Sequence, residues 1–409
     1  MEYRSKFASL LSSHQLLKAL GRSSALAGLI ALGATLGCSG ADVSGEESAA
    51  THTDRLVTTI GGWEFKPFAL MSFPSNSVGD PAFCTPHGSH SNIMFTRDTS
   101  NYIQGNATLP VGGGSAFAKY GSTVNARQLG GRPACAFLSE SSSPYPFILL
   151  AKGAVAPDGK TADKRLFWSK GQWTTTLGTA PTAVTAFAAL DNTQYSVNGN
   201  PAVATHNGQL VVVYLNDSGQ LLANYWTGST FSGTLTHPTA LPSGWTAVGT
   251  PTIAFAENWA QKYVIFVRAT NRFSQPKFFA TFFENDHFAA SYGGTNATFH
   301  AVDLPSGAPA ISSDPAYEYD NDGEFINTGT LYYRSGSKMY QVSAGNAVDQ
   351  FDTSTLKAMD VSSTSPNLTG NPVANGGTQF EAGRHWVLVR GSNGVYMGES
   401  LQNSGLSAN

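Results

Sequence analysis

Short apolar runs separated by turns rich in Gly, Asn, Asp and Ser recur along most of the chain. One stretch, WVLVRGSNGVYMGES (Trp386 to Ser400), contains an apolar run that ends at Arg390, a Gly-Ser-Asn-Gly turn, and a second apolar run. Short runs bounded by turn residues predict β-strands, and an Asn-Gly turn between two of them predicts a hairpin. The pattern therefore predicts an all-β chain built from antiparallel hairpins.

This hairpin is one copy of a repeat. Five apolar runs end in a cation, namely Arg97, Lys152, Arg268, Arg334 and Arg390, and a sixth ends at Asn216. Upstream of each run lies a segment built on Pro and a small residue, with the prolines at Pro81, Pro133, Pro201, Pro251, Pro309 and Pro372. These segments follow one another at intervals of roughly 50 to 70 residues, a period typical of propellers, solenoids and arrays.

The fullest copy, Asn200 to Gly233, shows what each unit contains. Its four strand candidates, PAVAT, QLVVVYL, LLANYW and FSG, are joined by the turns HNG, NDSG and TGS. Four antiparallel strands per unit form the blade of a β-propeller, whereas uneven spacing and meander turns argue against a solenoid. Six copies predict six blades rather than seven.

The last copy lacks an outer strand, because few residues follow Ser400. The segment Leu56 to Leu70 belongs to no other copy, so we expect it to complete the last blade and hide the sheet edges. This closure predicts that Trp63 packs against the strand around Tyr396. The propeller is then one domain spanning residues 56–409.

Several copies resemble the repeats of the PLL-like bacterial propeller lectins. The resemblance rests on LVVVYLNDSGQLLANYWTGSTFSG in the third copy, FVRATN in the fourth and LVRGSNGVYM in the sixth. That family folds as a propeller, usually of seven repeats, and binds fucose or related sugars in pockets between blades. The resemblance implies a carbohydrate-binding propeller.

Composition agrees with strands and excludes two classes of partner. The chain has 43 Gly residues, 11% aromatic residues, 12% charged residues and a net charge of −3. Such a chain has no electrostatic footprint for nucleic acid. Beyond its first residues it has no apolar run of membrane-spanning length. Nothing in the sequence predicts an oligomeric state.

The first 55 residues predict export. A basic start and the apolar run Ala25 to Leu36 are typical of a signal peptide, predicted over residues 1–37. The stretch TLGC resembles a bacterial lipobox, so Cys38 is the predicted lipidation site, with a flexible tether over residues 38–55. We expect a protein of the bacterial cell envelope, at the outer membrane and in contact with it only through the lipid. The alternative is a secreted protein cut nearby.

Two further cysteines, Cys84 and Cys135, suit a disulfide in an oxidising compartment. The alternative is two buried free thiols. No Cys-x-x-Cys spacing indicates redox catalysis.

The five cations are the main candidate binding residues. In a propeller the second strands end on one face, so these side chains could form a basic mouth that binds a carboxylate, a sulfate or a hydroxyl-rich glycan. We expect Arg268, Arg334 and Arg390 to face the funnel, so that their removal weakens ligand binding without lowering stability. Alternatively, each arginine ties down turn carbonyls or packs against the next blade. Trp226 is a candidate sugar-stacking residue, with packing between blades as the alternative.

Metal and cofactor signals are weak. His87 and His90 have no evident third ligand, and GGGS (Gly112 to Ser115) lacks the Lys of a phosphate loop. EYDNDG (Glu318 to Gly323) matches half of a calcium loop, but the twelfth position is Gly329 instead of Glu. We therefore predict no metal and no cofactor, and leave a looser calcium site as an alternative.

No motif identifies a catalytic pair. A propeller glycosidase needs two nearby carboxylates, and the candidates near loop ends are Asp80, Glu257, Asp303 and Glu318. Sialidase Ser-x-Asp-x-Gly-x-Thr-Trp boxes and a Gly-x-Ser-x-Gly elbow are absent from the sequence. The sequence thus favours a glycan- or polysaccharide-binding propeller. The alternatives are a glycoside hydrolase or polysaccharide lyase, and then a protein-interaction scaffold.

Overall fold

The computed structural model describes most of the chain between residues 58 and 402. The described ranges are 58–60, 63–70, 73–84, 92–108, 118–120, 127–139, 143–154, 163–174, 181–190, 196–256, 262–290, 296–319, 329–347, 350–351, 356–359, 367–375 and 384–402. The predicted signal peptide, Cys38 and the tether lie outside these residues and remain predictions. Within the described ranges no helix is long and apolar enough to cross a membrane.

All regular elements of the described residues are strands. In chain order they are β1 (Thr58–Ile60), β2 (Trp63–Leu70), β3 (Ser77–Cys84), β4 (Asn92–Asp98), β5 (Ile103–Thr108), β6 (Ala118–Lys119), β7 (Leu129–Phe137), β8 (Tyr145–Gly153), β9 (Leu166–Trp173), β10 (Thr182–Ala183), β11 (Ala188–Ala189), β12 (Val197–His206), β13 (Gln209–Asn216), β14 (Leu221–Tyr225), β15 (Leu235–Thr236), β16 (Trp245–Ala256), β17 (Lys262–Asn271), β18 (Pro276–Glu284), β19 (His287–Ala289), β20 (His300–Ala301), β21 (Ala316–Tyr319), β22 (Gly329–Ser335), β23 (Lys338–Ala347), β24 (Gln350–Phe351), β25 (Lys357–Ala358), β26 (Val373–Asn375), β27 (Arg384–Gly391) and β28 (Gly394–Gln402).

These strands form six antiparallel sheets, which confirms the predicted six-bladed propeller. In chain order the blades are β3 to β6, β7 to β11, β12 to β15, β16 to β20, β21 to β25, and β26 to β28 with β2 and β1; we number them 1 to 6. The first strand of every blade contributes to the wall of one central channel. The first strands are therefore innermost, and successive strands lie farther from the axis.

Both faces of the central strands are buried, which explains their continuous apolar runs. In β13, Val211 and Val213 pack against blade 4, whereas Leu210 and Val212 pack against blade 2. Across the described residues the buried apolar side chains form six clusters, one at each blade interface. The core is thus a ring of layers between blades.

The N-terminal strands close the ring, as predicted. Strand β2 pairs antiparallel with β28, with Leu70 opposite Tyr396 and Trp63 opposite Gln402. Strand β1 then pairs with β2, so blade 6 has five strands instead of four. The side chain of Trp63 lies outside what the structure describes, so its burial remains a prediction.

The repeat is more sharply defined by Gly-X-Pro than by Pro and a small residue. This motif lies at a bulge in the inner strand of blades 1 to 4 and directly precedes the inner strand of blades 5 and 6. It occurs as GDP, GRP, GNP, GTP, SDP and GNP, with Ser in place of Gly in blade 5, at residues 79–81, 131–133, 199–201, 249–251, 313–315 and 370–372. In blade 5 the repeated proline is Pro315, and the prediction of Pro309 was wrong. The Pro-Ala letters occur twice there, but only Ala316 enters β21 and pairs with β22.

Candidate ligand-binding site

Six residues encircle one end of the channel, one from each Gly-X-Pro motif. They are Asp80, Arg132, Asn200, Thr250, Asp314 and Asn371. At four successive junctions, the backbone N–H of one residue donates to the side-chain oxygen of its counterpart in the next blade, over 2.7 Å, 3.2 Å, 2.9 Å and 2.9 Å from blade 2 to blade 6. At the junction of blades 6 and 1, Asn371 Nδ2 donates to Asp80 Oδ2 over 3.2 Å. These bonds set the spacing of the blades around the axis.

The glycine of the motif makes this close approach possible. Gly249 has φ of 80° and Gly131 has φ of 70°, in the left-handed region that side chains avoid. A Cβ on Gly249 would collide with the carboxylate of Asp314, and one on Gly131 would collide with the amide of Asn200. Glycine therefore admits the side chain of the next blade.

The junction between blades 1 and 2 is built differently. Its acceptor position is held by Arg132, whose guanidinium can donate hydrogen bonds but cannot accept them. A disulfide joins Cys84 of β3 to Cys135 of β7 at this junction, with 5.8 Å between the Cα atoms. The cysteines that the sequence suggested as a pair thus link two inner strands covalently.

The five predicted cations occupy equivalent places at the mouth of the channel. Arg97, Lys152 and Arg268 each pair with the residue that precedes a motif glycine. In blades 5 and 6, the residue after the motif proline pairs with a residue of the second strand. Arg334 and Arg390 each lie two positions after that pairing partner. The sixth place is taken by Leu215, which pairs with Asn198, and not by Asn216 as the sequence suggested.

Three of these cations bind the next blade. Arg268 Nη2 lies 3.0 Å from Asp314 Oδ1. Arg334 Nε donates to the carbonyl of Gly370 over 3.0 Å. Arg390 Nε donates to the carbonyl of Gly79, and its Nη2 donates to Ser77 Oγ over 3.1 Å.

These contacts agree with the alternative in which each arginine holds groups of the next blade, of which the Asp314 carboxylate is buried. The expectation that the three arginines are dispensable for stability stays an untested prediction. A ligand-binding role for their remaining N–H groups stays a prediction.

The other two cations are held less firmly. Arg97 Nη1 donates to Asn101 Oδ1 in its own hairpin, and burial lowers the pKa of Arg97 while Asp98 opposes this effect. Burial also lowers the pKa of Lys152, Lys164 adds repulsion, and Asp217 acts in the opposite direction. Within the described residues Lys152 makes neither a hydrogen bond nor an ion pair through Nζ.

Trp226 packs between blades. It is 9% exposed, and its ring meets Trp168 and Phe231 edge-on at centroid distances of 5.4 Å and 5.2 Å. This placement agrees with the alternative of inter-blade packing. The exposed aromatic is instead Phe273, 67% exposed in the hairpin between β17 and β18, with the Arg272 guanidinium 4.6 Å from its ring centroid. A single Phe in a turn gave no sequence signal.

A cleft between blades 4 and 5 lies next to this hairpin. Its volume is about 340 Å³, and its wall is formed by the start of β18 and by residues 302–311, which lead into blade 5. Lys277 Nζ lies 3.3 Å from Asp303 Oδ1 across the cleft. Pro305 and Pro309 supply apolar surface beside this ion pair. Charged groups thus adjoin apolar ones, within a few residues of Phe273.

The candidate catalytic carboxylates are not gathered at one place. Asp303 lines the cleft, Asp80 lies in the polar ring, and the buried Glu318 accepts a hydrogen bond from the Tyr332 hydroxyl. Burial raises the pKa of Asp314, against the effect of Arg268. Glu257, His87, His90 and most of the calcium-like loop lie outside the described residues, and the described part of the chain contains no group of three or more metal-binding side chains.

Solved structures show what this fold resembles. A GH93 α-L-arabinofuranosidase of Fusarium graminearum, solved with arabinobiose, has a TM-score of 0.56 and 13% identity, covering 84% of this chain and 99% of the enzyme. AofleA from Arthrobotrys oligospora has a TM-score of 0.52 and 11% identity, covering 83% of this chain and 86% of its own. The Aleuria aurantia lectin, solved with Fucα1-6GlcNAc, has a TM-score of 0.50 and 13% identity, covering 82% of this chain and 100% of the lectin.

No family model and no curated protein sequence matches the chain. At 11% to 13% identity these structural similarities show the fold alone. The chain has the propeller fold of proteins that include a sugar-binding lectin and a glycoside hydrolase.

Proposed function

We propose that this protein is a lectin-like β-propeller that binds carbohydrate in the cleft between blades 4 and 5. The observation that carries the proposal is the cleft itself, about 340 Å³ in volume and lined by the Lys277–Asp303 pair. This volume lies within the usual range of small-molecule sites. Propellers with bound sugars share the fold, which makes a glycan the first ligand class to test.

The groups around the cleft suit the two kinds of surface that a sugar presents. Hydroxyl groups can donate to Asp303 and accept from Lys277, and hydrogen bonds to charged groups are stronger than neutral ones. The C–H face of a sugar ring packs on aromatic or proline surface, and Pro305 and Pro309 supply such surface in the cleft. The exposed Phe273 lies three residues before Pro276 of the cleft wall in the sequence. Because Asp303 is 87% exposed, it can exchange Lys277 for a ligand at little cost.

The same cleft favours binding over hydrolysis. Glycosidases use two carboxylates roughly 5 to 10 Å apart, whereas Asp303 is the one carboxylate among the described residues that line this cleft. Asp80 and Asp314 are engaged in contacts between blades. Hydrolase or lyase activity therefore rests on fold similarity alone, and a scaffold role has no observation of its own.

We further propose that the bacterial envelope is the site of action, through lipidation of Cys38. The support is the basic start, the apolar run and the TLGC stretch. Replacing Cys38 by Ser should block acyl labelling and release the protein from membranes. Unchanged fractionation of this variant would show that the lipobox match is accidental.

A glycan array probed with the purified protein, run beside a reducing-end assay on polysaccharides, tests the function. Retention of one glycan class without new reducing ends supports the lectin. Release of sugar ends would assign a hydrolase, and unsaturated products would assign a lyase. Absence of both retention and turnover over a broad array would contradict a carbohydrate-directed function.

A further inference from the structure

The central channel contains a buried arginine that forms no ion pair with the described residues. Arg132 is 8% exposed and reaches into the channel from the polar ring. Its Nη1 donates to the carbonyl of Pro372 across the channel over 3.2 Å. Among the described residues no carboxylate oxygen lies within the 4.0 Å that defines an ion pair with this guanidinium. Arginine stays protonated in proteins, so this charge is buried as a cation.

The nearby carboxylates are committed elsewhere. Asp314 Oδ2 accepts from the Thr250 backbone, and its Oδ1 faces Arg268 at 3.0 Å. Asp80 Oδ2 accepts from Asn371. Both carboxylates therefore point toward neighbouring blades of the ring instead of into the channel.

One carboxylate is also shared among three arginines. These are Arg132, Arg334 and Arg390; burial lowers the pKa of each, and Asp80 is the largest opposing influence for all three, with Asp314 adding to this effect on Arg132. Arg97 and Arg268 add repulsion from their side of the mouth. The end of the channel thus carries an excess of positive charge on a chain whose net charge is −3.

The channel next to Arg132 has room for a counter-ion. Its volume is about 80 Å³, and residues from all six inner strands line it, most of them apolar. One water needs roughly 10 to 15 Å³ of such volume, so this space holds a small ion together with water. An isolated buried charge costs several kcal/mol, which gives a small anion a strong reason to enter.

We infer that the channel binds one small monovalent anion, a halide or a single carboxylate group, against the guanidinium of Arg132. The anion completes the polar ring at the blade that lacks an acceptor, because it accepts hydrogen bonds from those Arg132 N–H groups that have no acceptor among the described residues. The site is separate from the cleft between blades 4 and 5 and does not depend on it.

Thermal melting of the purified protein tests this inference. Titrations with sodium chloride and with sodium formate, balanced by sodium gluconate at constant ionic strength, distinguish small anions from a bulky one. We expect a saturable rise of the melting temperature with chloride, with formate, or with both. An effect of formate alone would identify the occupant as a carboxylate. Replacing Arg132 by Met should abolish the rise, whereas the control Arg272→Met, which removes an exposed arginine, should retain it.

A bromide soak of crystals supplies a second measurement that does not require a stable variant. We expect an anomalous peak in the channel within contact distance of the Arg132 guanidinium. Equal melting temperatures in all three salts, together with an empty channel after the soak, would overturn the inference.

Discussion

At the scale of single residues, the arginines at the channel mouth connect blades. That five cations occupy equivalent places was predictable from the ends of the apolar runs. Their partners were not predictable, because a side chain that reaches the next blade contacts a residue 36 or more positions away in the sequence. Arg132 could not be identified from the repeat, because the other five copies have Asp, Asn or Thr at its position.

Replacing Arg334 by Gln should lower the free energy of unfolding by about 1 to 3 kcal/mol, because the carbonyl of Gly370 loses its charged donor. Urea unfolding measures this loss. The matched control is Lys152→Gln, which removes a cation at the equivalent place without a described contact to the next blade, and it should change stability by less than about 0.5 kcal/mol. Equal effects of both changes would argue against arginine contacts as links between blades.

His237 makes stability depend on pH. It is 6% exposed, its Nε2 shares a hydrogen bond of 2.8 Å with Thr281 Oγ1, and burial lowers its pKa below the usual 6.5. Below that value the unfolded chain takes up a proton that the folded chain resists, so stability falls as pH falls. We expect the melting temperature to drop between about pH 7 and about pH 5. His237→Gln should reduce this drop, and replacing the exposed His287 by Gln should not; the reverse order would contradict the assignment.

At the scale of elements, the sequence predicted strands, hairpins and the number of blades because apolar runs and turn residues act locally. It misplaced the start of blade 5 at Pro309 because Pro-Ala letters alone do not distinguish an inner strand from the connection before it. The distinguishing feature is a motif of Gly or Ser, one residue and Pro, whose middle residue (Asp314 in blade 5) must reach the neighbouring blades. That requirement is a property of assembled blades.

The Cys84–Cys135 disulfide joins the two blades where the ring of hydrogen bonds has no acceptor. Replacing both cysteines by Ser should therefore lower the free energy of unfolding by about 2 to 4 kcal/mol. Melting curves with and without a reductant measure this effect. Reductant should bring the natural protein down to the stability of the double variant and leave the variant unchanged. A natural protein that is insensitive to complete reduction would contradict this role.

At the scale of the whole molecule, closure depends on pairing between the two ends of the described chain. Deleting residues 56–70 removes β1 and β2 and exposes the edge of β28. We expect an aggregated or unfolded product in size-exclusion chromatography, whereas deletion of the predicted tether at residues 38–55 should leave a folded monomeric or oligomeric peak unchanged. A cooperative melting curve identical to that of the full chain after loss of residues 56–70 would contradict closure by these strands.

Sequence reasoning suggested the proposed function class but did not locate the candidate site. The repeat resembled sugar-binding propellers, but the cleft is formed by a connection between blades, where the repeat pattern has no counterpart. Lys277 and Asp303 come from separate segments that only the folded chain brings to the same cleft.

The most direct test of the central claim is calorimetric titration of the best glycan from the array into three proteins. These are the natural protein, Asp303→Ala, which removes the carboxylate of the cleft, and the control Asp286→Ala, which removes another exposed carboxylate. We predict that loss of the Asp303 side chain weakens binding about tenfold, equivalent to about 1.4 kcal/mol, and that loss of the Asp286 side chain has no effect. Equal affinity of all three proteins for the glycan would contradict binding at the cleft between blades 4 and 5.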